Sequence, residues 1–370
     1  MDFQPQKQTV LKPPVYRIPA LLYERESETL LAFAEQRTTK SDSNAKVLVM
    51  KSGKLKEESP DVKTIEWTEF KLVEEARIDG HRTMNPCPVY EKNNKVLFLF
   101  FICVEGNVSE LWQIRNNTNK ARLCYITSED LGQSWSKVTD LTDTLEEIND
   151  WATLAVGPGH GVQMNGGRLI VPVHAYVKNN AQYALALYSD DCGDHWQFGK
   201  ILQTKSIECE MAEFFDEEGK SFIYCNARNE GGNRVEAFSE NNGDDFAKRI
   251  GKLIETGRGC QGSVVSFPAQ SEDANAEGDQ DQNPKWLLFT HPSDQSRRTD
   301  LGVYLNKSPQ DPNAWSKPWI INGGPSGYSD LAYIDDGWFA CLVECGKKTE
   351  LEQIASVVFN YKHIKQGIGE

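Results

Sequence analysis

Three arginines carry the most suggestive chemistry in this chain. Arg17 stands inside the apolar run Val15 to Tyr23, where a cation is out of place. Arg228 closes the phrase Asn226-Ala227-Arg228, and Arg298 lies two residues before Asp300-Leu301-Gly302. Guanidinium groups bind carboxylates through paired, charge-assisted hydrogen bonds, so three converging on one point would clamp an organic acid. They would also repel one another unless acids offset them, and Glu208 and Glu344 are the candidates. Taken singly, each arginine reads as a surface residue, and Arg17 as one snorkelling from an edge strand. Nothing in their spacing separates these three from the other arginines. What could unite them is a fold in which distant strand ends meet.

Such a fold is announced by a repeated phrase. Its copies are Ser128-Glu129-Asp130-Leu131-Gly132-Gln133-Ser134-Trp135, Ser189-Asp190-Asp191-Cys192-Gly193-Asp194-His195-Trp196 and Ser239-Glu240-Asn241-Asn242-Gly243-Asp244-Asp245-Phe246. The pattern Ser-x-Asp/Asn-x-Gly-x-x-aromatic reads as a hairpin turn. Asp or Asn bonds nearby backbone, Gly supplies a positive φ, and the aromatic packs at the start of the next strand. The copies begin 61 and then 50 residues apart, with strand-like runs between them. That period suggests stacked four-stranded sheets around an axis, an all-β propeller formed by residues 1–370 as one domain.

Composition narrows the partners. The net charge of −14 argues against nucleic acid and against docking on an anionic leaflet. An anionic ligand would need a local basic cluster within an acidic shell. The nine cysteines are odd in number and scattered, which fits buried free thiols in a reducing compartment. Cys341 and Cys345 form one close pair, but no histidine lies nearby to complete a zinc cage. No metal or organic cofactor is implied. Met1 to Pro14 has no apolar core of the signal-peptide kind. The longest apolar run, Val96 to Val104, is too short to span a bilayer as a helix. The expected location is cytosolic or peripheral to a cellular membrane. No polybasic run or lipidation motif is evident, so a membrane-bound chain would rely on cysteine acylation or a docked partner.

Along the chain, Pro19 points to an edge strand or a bulge. Leu30 to Arg37 reads as the pairing strand, followed by a polar loop carrying Asp42. Asp79 to Pro88, rich in breakers, reads as a loop. Pro268 to Lys285 is acidic, without a large apolar residue, and reads as a disordered loop between two strands. Long amphipathic helices are not evident, and Glu350 to Ala355 is the one short candidate.

The chain resembles vertebrate exo-α-sialidases over nearly its whole length. The phrases that carry the resemblance are Tyr16-Arg17-Ile18-Pro19-Ala20-Leu21-Leu22, Ala32-Phe33-Ala34-Glu35-Gln36-Arg37, Gly80-His81-Arg82-Thr83-Met84-Asn85-Pro86-Cys87-Pro88, Gly157-Pro158-Gly159-His160, Gly259-Cys260-Gln261-Gly262-Ser263 and Tyr328-Ser329-Asp330-Leu331. The eight-residue phrase itself resembles the Asp box of that family. Phe100-Phe101-Ile102-Cys103-Val104 and Leu342-Val343-Glu344-Cys345-Gly346 are most similar to the membrane-associated, ganglioside-cleaving members, with the cytosolic members nearly as close. The resemblance implies a six-bladed propeller that removes terminal sialic acid from gangliosides, oligosaccharides or glycoproteins. It implies that Arg17, Arg228 and Arg298 hold the substrate carboxylate, that Tyr328 is the nucleophile with Glu208 its partner, and that Asp42 is the acid/base. Glu344 would orient Arg17. Arg37, Met84, Asn85, Glu110 and Tyr176 would line the pocket for ring substituents, and Gln261 would lie near the aglycone. Where relatives carry a tyrosine two before Tyr176, this chain has His174, which would face the glycerol tail.

The chemistry suits those residues. Sialic acid bears a carboxylate on its anomeric carbon, which repels a carboxylate nucleophile, whereas a tyrosine hydroxyl is neutral until a neighbouring Glu takes its proton. Sialidases are a known tyrosine exception among glycosidases. Asp42 would protonate the leaving oxygen and then deprotonate water, which calls for a partly exposed loop position. Two displacements give retention of configuration. A non-catalytic propeller that binds sialylated glycans would keep the arginines and break the Tyr328, Glu208, Asp42 set. A trans-sialidase would share the set and differ only in its acceptor.

Overall fold

In the computed structural model of the chain, the described residues are 3–12, 15–177, 181–270 and 285–370. They form antiparallel sheets joined by tight turns. The sheets follow one another along the chain: strands Val15–Glu24, Thr29–Arg37, Ala45–Ser59 and Val62–Trp67 make the first. His81–Glu91, Val96–Glu105, Ala121–Ser128 and Thr139–Asp140 make the second. The third is built on Trp151–Val156, Leu169–Val177 and Ala181–Ser189, and the fourth on Cys209–Phe215, Ser221–Ala227 and Val235–Ser239.

Apolar clusters fill the gap between each sheet and the next. Phe33 and Met50 of the first sheet meet Leu97 and Phe101 of the second. Phe100 and Leu123 meet Val171 and Leu187, Ile170 and Ala186 meet Met211 and Cys225, and Phe214 and Phe238 meet Val264 and Phe289. The ring closes where Leu342 and Val358 pack on Leu21 and Val49 of the first sheet. This all-β, propeller-like arrangement explains why apolar residues dominate both faces of the strands: each sheet is covered on both sides.

The expected six separate blades are not seen. Four discrete sheets of four or five strands stand beside one continuous sheet of seven. The cause is the fifteen-residue strand Trp319–Tyr333. Its first half pairs with Thr299–Asn306, and its second half pairs with Trp338–Cys345. Register shifts on both sides let it bend, so Leu288 and Val303 of one half pack against Phe339 and Val357 of the other. The outermost strand of this sheet is Gln8–Leu11, paired with Gln353–Asn360 near the other end of the chain.

The three repeated phrases adopt the same turn. The first-position serine hydroxyl accepts from the glycine N–H at 2.8, 2.9 and 2.8 Å in the three copies. The Asp or Asn oxygen accepts the N–H four residues on, at 2.8, 2.9 and 3.0 Å. Each turn joins the third strand of its sheet to a short outer strand. The glycines at 132, 193 and 243 have φ of 83°, 99° and 90°, as expected. The residue before each is also left-handed, with φ of 55° at Leu131, 59° at Cys192 and 60° at Asn242. A leucine there is unusual and gave no signal in the sequence.

Other expectations need correction. Asp79 to Pro88 is mostly strand, because the breakers Asn85 and Pro86 sit in a bulge, with Asn85 at φ 57° and a register shift between Met84 and Cys87. Of the edge strand or bulge expected at Pro19 both are present: Val15–Glu24 is the outermost strand of its sheet, and Ile18 has φ 60° with the register broken between Arg17 and Ala20. Glu350 to Ala355 is turn and strand; the short helices are Glu110–Asn116 (α1) and Tyr361–Ile368 (α2). The expected acidic loop falls largely on residues 271–284, outside the described residues; its flanks, Pro268 and Lys285, pair as strand ends. All nine cysteines are free thiols. No helix among the described residues is long and apolar enough to cross a membrane.

Candidate active site

A cavity of ≈340 Å³ opens at one end of the ring, where strand ends of several sheets meet. Its chemistry is arranged around Tyr328. The hydroxyl of this buried tyrosine donates a short hydrogen bond to Glu208 and lies 3.1 Å from Nη1 of Arg228, which also donates to Glu208 at 2.8 Å. The guanidiniums of Arg17 and Arg298 lie 5.2 and 5.1 Å from the tyrosine ring centre. Three cations contributed by the first, fourth and seven-stranded sheets thus surround one hydroxyl.

Each arginine is aimed by its own support. Arg17 sits beside the bulge at Ile18. Its Nε donates to Glu344 at 2.6 Å, and the same carboxylate accepts the N–H groups of Ile18 at 2.9 Å and Tyr328 at 3.2 Å. Glu344 is fully buried behind Arg17 and does not line the cavity. Arg228 follows the end of strand Ser221–Ala227 and also donates to the carbonyl of Arg258 at 3.2 Å. Arg298 precedes strand Thr299–Asn306 and donates to the carbonyl of Gly259 at 3.0 Å.

Burial opposes the charge on Glu208, but Arg228 beside it wins, and its pKa falls below the usual carboxylate range. Tyr328 moves the other way: burial and then the Glu208 carboxylate raise its pKa, while the arginines pull it back. The pair is therefore a neutral hydroxyl bonded to a charged acceptor, the arrangement a base needs before it takes a proton.

Asp42 begins a 3₁₀ turn after strand Thr29–Arg37, and its side chain is 69% exposed at the cavity mouth. Arg37, buried at the strand's end, donates to it and to the carbonyl of Lys40 at 3.2 Å. Behind Arg37 stands Glu35, which takes its Nε and also accepts the N–H of Asn85 at 3.0 Å.

The rest of the expected set divides clearly. Met84, Asn85, His174 and Tyr176 all line the cavity. Glu110, in the first turn of α1, is exposed as a residue while its carboxyl forms part of the cavity rim. Loss of hydration there, followed by the Glu208 and Asp42 carboxylates, pushes its pKa up to about 7. His174 is 5% exposed, and burial pushes its pKa down to about 4, so it is a neutral imidazole at pH 7. Gln261 is not part of the lining. It is fully buried, its side chain exchanging hydrogen bonds with the backbone of Ser329 at 2.9 and 3.0 Å, and so braces the strand that carries Tyr328.

Sequence reasoning missed Glu35 and Arg82. Both lie within phrases that carried the family resemblance, and only folding reveals their partners. It also missed the apolar wall of Ile102, Val104, Leu154 and Ala155, which as sequence reads only as strand interior.

A model described as a BNR repeat-like domain matches residues 28–341. Sialidase-3 of Bos taurus is 42% identical, across 94% of this chain and 90% of its own length. Sialidase-2 of Cricetulus griseus is also 42% identical, across 94% of this chain and 92% of its own. Among solved structures, the Hadza microbial sialidase Hz136 superposes with a TM-score of 0.76 at 21% identity, covering 94% of this chain and 66% of that one. A Trypanosoma rangeli sialidase in complex with 2,3-difluorosialic acid, described as the covalent intermediate, gives 0.67 at 18% identity, covering 98% and 58%. The structural likenesses speak to the fold; the identity and coverage of the relatives decide the family. With its ring of sheets and its arginine-lined cavity, the chain belongs to the sialidase family of glycoside hydrolases.

Proposed function

We propose that this sialidase releases terminal α-linked sialic acid by two displacements at the anomeric carbon, with Tyr328 as nucleophile. The carrying observation is the Tyr328 hydroxyl bonded to a charged Glu208 within a bracket of Arg17, Arg228 and Arg298. The arginines hold the substrate carboxylate. Tyr328 attacks as Glu208 takes its proton, and Asp42 protonates the departing oxygen. Water activated by Asp42 then attacks the tyrosyl glycoside, and the proton returns to Tyr328 through Glu208. The positive, flattened ring of the transition state gains from the charge near Glu208, already in place before substrate arrives.

The test is hydrolysis of an α-2,3-sialoside by the wild type beside Tyr328→Phe and Asp42→Ala, with the anomer of the first product read by NMR. The expected result is the α anomer first, and activity lost in both variants while sialic acid still binds Tyr328→Phe. An inverted first product, or unchanged turnover by Tyr328→Phe, would overturn the reading. A binding propeller without catalysis would lack one of Tyr328, Glu208 and Asp42, and all three are present. Transfer to a sugar acceptor uses the same residues and is separated by product analysis.

Sialylated glycolipids are the second part of the proposal. The support is α1: Glu110 and Gln113 line the cavity, while Leu111 and Trp112 on the same helix are 53% and 42% exposed beside it. An apolar rim next to the leaving group suits a substrate whose other end lies in a membrane. The free thiols support a reducing compartment for the enzyme, in the cytosol or at the periphery of a membrane.

A further inference from the structure

Arg82 is a buried arginine without an acid. It lies on strand His81–Glu91, is 7% exposed and lines the cavity. Among the described residues no carboxylate forms an ion pair with it. Its donors go to three backbone carbonyls: Nε to Asp42 at 3.3 Å, Nη1 to Gly106 at 2.9 Å and Nη2 to Val108 at 2.6 Å. Burial without a bonded counter-charge lowers its pKa, so the arrangement costs stability that a neutral residue would not.

What those carbonyls belong to suggests why the cost is borne. Asp42 opens a turn of three residues, Asp42–Asn44, none of which is buried and whose leading residue gives no side-chain cap. No apolar anchor fixes it. Its backbone bonds, Asn44 N–H to Ser41 and Thr38 N–H to Asn44, stay within the loop. Arg37 holds the Asp42 carboxylate and the carbonyl of Lys40, but neither bond reaches the backbone of Asp42 itself. Gly106 and Val108 belong to the segment between strand Val96–Glu105 and α1, which Ser109 caps through the N–H of Trp112 at 3.1 Å. The planar guanidinium therefore spans from the acid's own backbone to the loop that starts α1.

We infer that Arg82 is a positioning residue for the acid step: it holds the Asp42 turn at a fixed distance from the leaving oxygen by joining it to the α1 loop. The inference rests on the reading of Asp42 as the acid. It predicts a dependence on the leaving group that a merely structural residue would not show. A phenol leaves without help, whereas a sugar hydroxyl needs its proton, and general acid catalysis contributes roughly 10²- to 10⁴-fold.

The experiment compares kcat/KM, which reports the first displacement, for a p-nitrophenyl sialoside and for sialyllactose in the wild type, Arg82→Gln, Arg82→Lys and Asp42→Ala. Arg82→Gln is expected to lose roughly ten- to a hundredfold on sialyllactose and less than about threefold on the aryl substrate, with KM nearly unchanged. Arg82→Lys, a point donor that cannot span three carbonyls, should fall between it and the wild type, and it carries the test if the glutamine variant does not fold. Equal losses on both substrates, or no loss on either, would overturn the positioning role. If Asp42→Ala itself shows no dependence on the leaving group, the acid assignment fails, which is a separate result.

Discussion

Glu344→Ala tests whether the proposed carboxylate clamp is held by a buried ion pair. The Glu344 side chain has no exposed surface, and Arg17 retains 7%. One oxygen accepts both Arg17 Nε at 2.6 Å and Ile18 N–H at 2.9 Å, and the other accepts Tyr328 N–H at 3.2 Å. Removing the acid leaves a buried guanidinium and two backbone donors unpaired. Breaking one side of a buried pair costs about 3–5 kcal/mol, roughly a hundredfold to a few thousandfold in the folding constant. Glu344→Gln is not a neutral replacement. An amide has one oxygen and one NH₂, so one of the two receiving positions must now face a donor. The less costly orientation turns the NH₂ toward Tyr328 N–H, the longest of the three contacts, and the expected loss is about 2 kcal/mol. Urea unfolding should show midpoints falling in the order wild type, Gln, Ala, with similar slopes. Sialic acid affinity should fall in the same order, because Arg17 loses its aim. A loss below about 1 kcal/mol in the alanine variant, with wild-type affinity, would refute the argument.

Other outcomes follow from the same geometry. Ionisation of Glu110, near pH 7, adds negative charge beside a site for an anion, so KM should rise as pH passes through 7, and Glu110→Gln should flatten that rise; a KM that climbs equally in both would exclude Glu110. His174 is neutral when folded and titrates near 6.5 when unfolded, so the unfolded chain binds more protons between about pH 6.5 and 4 and stability falls as pH drops through that window. His174→Phe should reduce that fall in a melting-temperature series, and an unchanged slope would discount the histidine. Trp196→Ala removes a ring that packs 4.7 Å from Phe100 and closes its turn through Nε1 to Gly193 at 3.0 Å; about 3–5 kcal/mol of stability should go, with the active-site residues untouched, and a loss under 1 kcal/mol by denaturant titration would show that the ring is dispensable.

The propeller-like fold was legible because its turns repeat: serine, Asp or Asn, glycine and an aromatic at fixed offsets specify one hairpin wherever they occur. The seven-stranded sheet was not. It depends on one strand bending between two partners, and in the sequence Trp319 to Tyr333 shows only Gly323-Gly324-Pro325, which reads equally as a break. The arginines were visible as residues but not as a group. Arg17 and Arg298 lie 281 residues apart in a chain of 370, and only ring closure brings them to one tyrosine. Family resemblance supplied the grouping, and folding placed all but two of the expected set on the cavity wall. Glu344 stands behind it by design. Gln261 stands beneath it, since a side chain already committed to backbone at both its oxygen and its nitrogen has nothing left to offer a ligand. Arg82 was hidden for a different reason: its partners are carbonyls, which every residue carries and no sequence distinguishes.

The pairing of Gln8–Leu11 with Gln353–Asn360 sets the order of events on the ribosome. The four discrete sheets draw on contiguous chain and can form as it emerges. The outermost strand of the last sheet is made early and must wait, its backbone unpaired, until Gln353–Asn360 has been translated. During that interval the newborn chain carries an open edge at Gln8–Leu11, able to recruit a foreign strand. The most exposed step in the synthesis of this enzyme is therefore the docking of Gln8–Leu11 onto Gln353–Asn360.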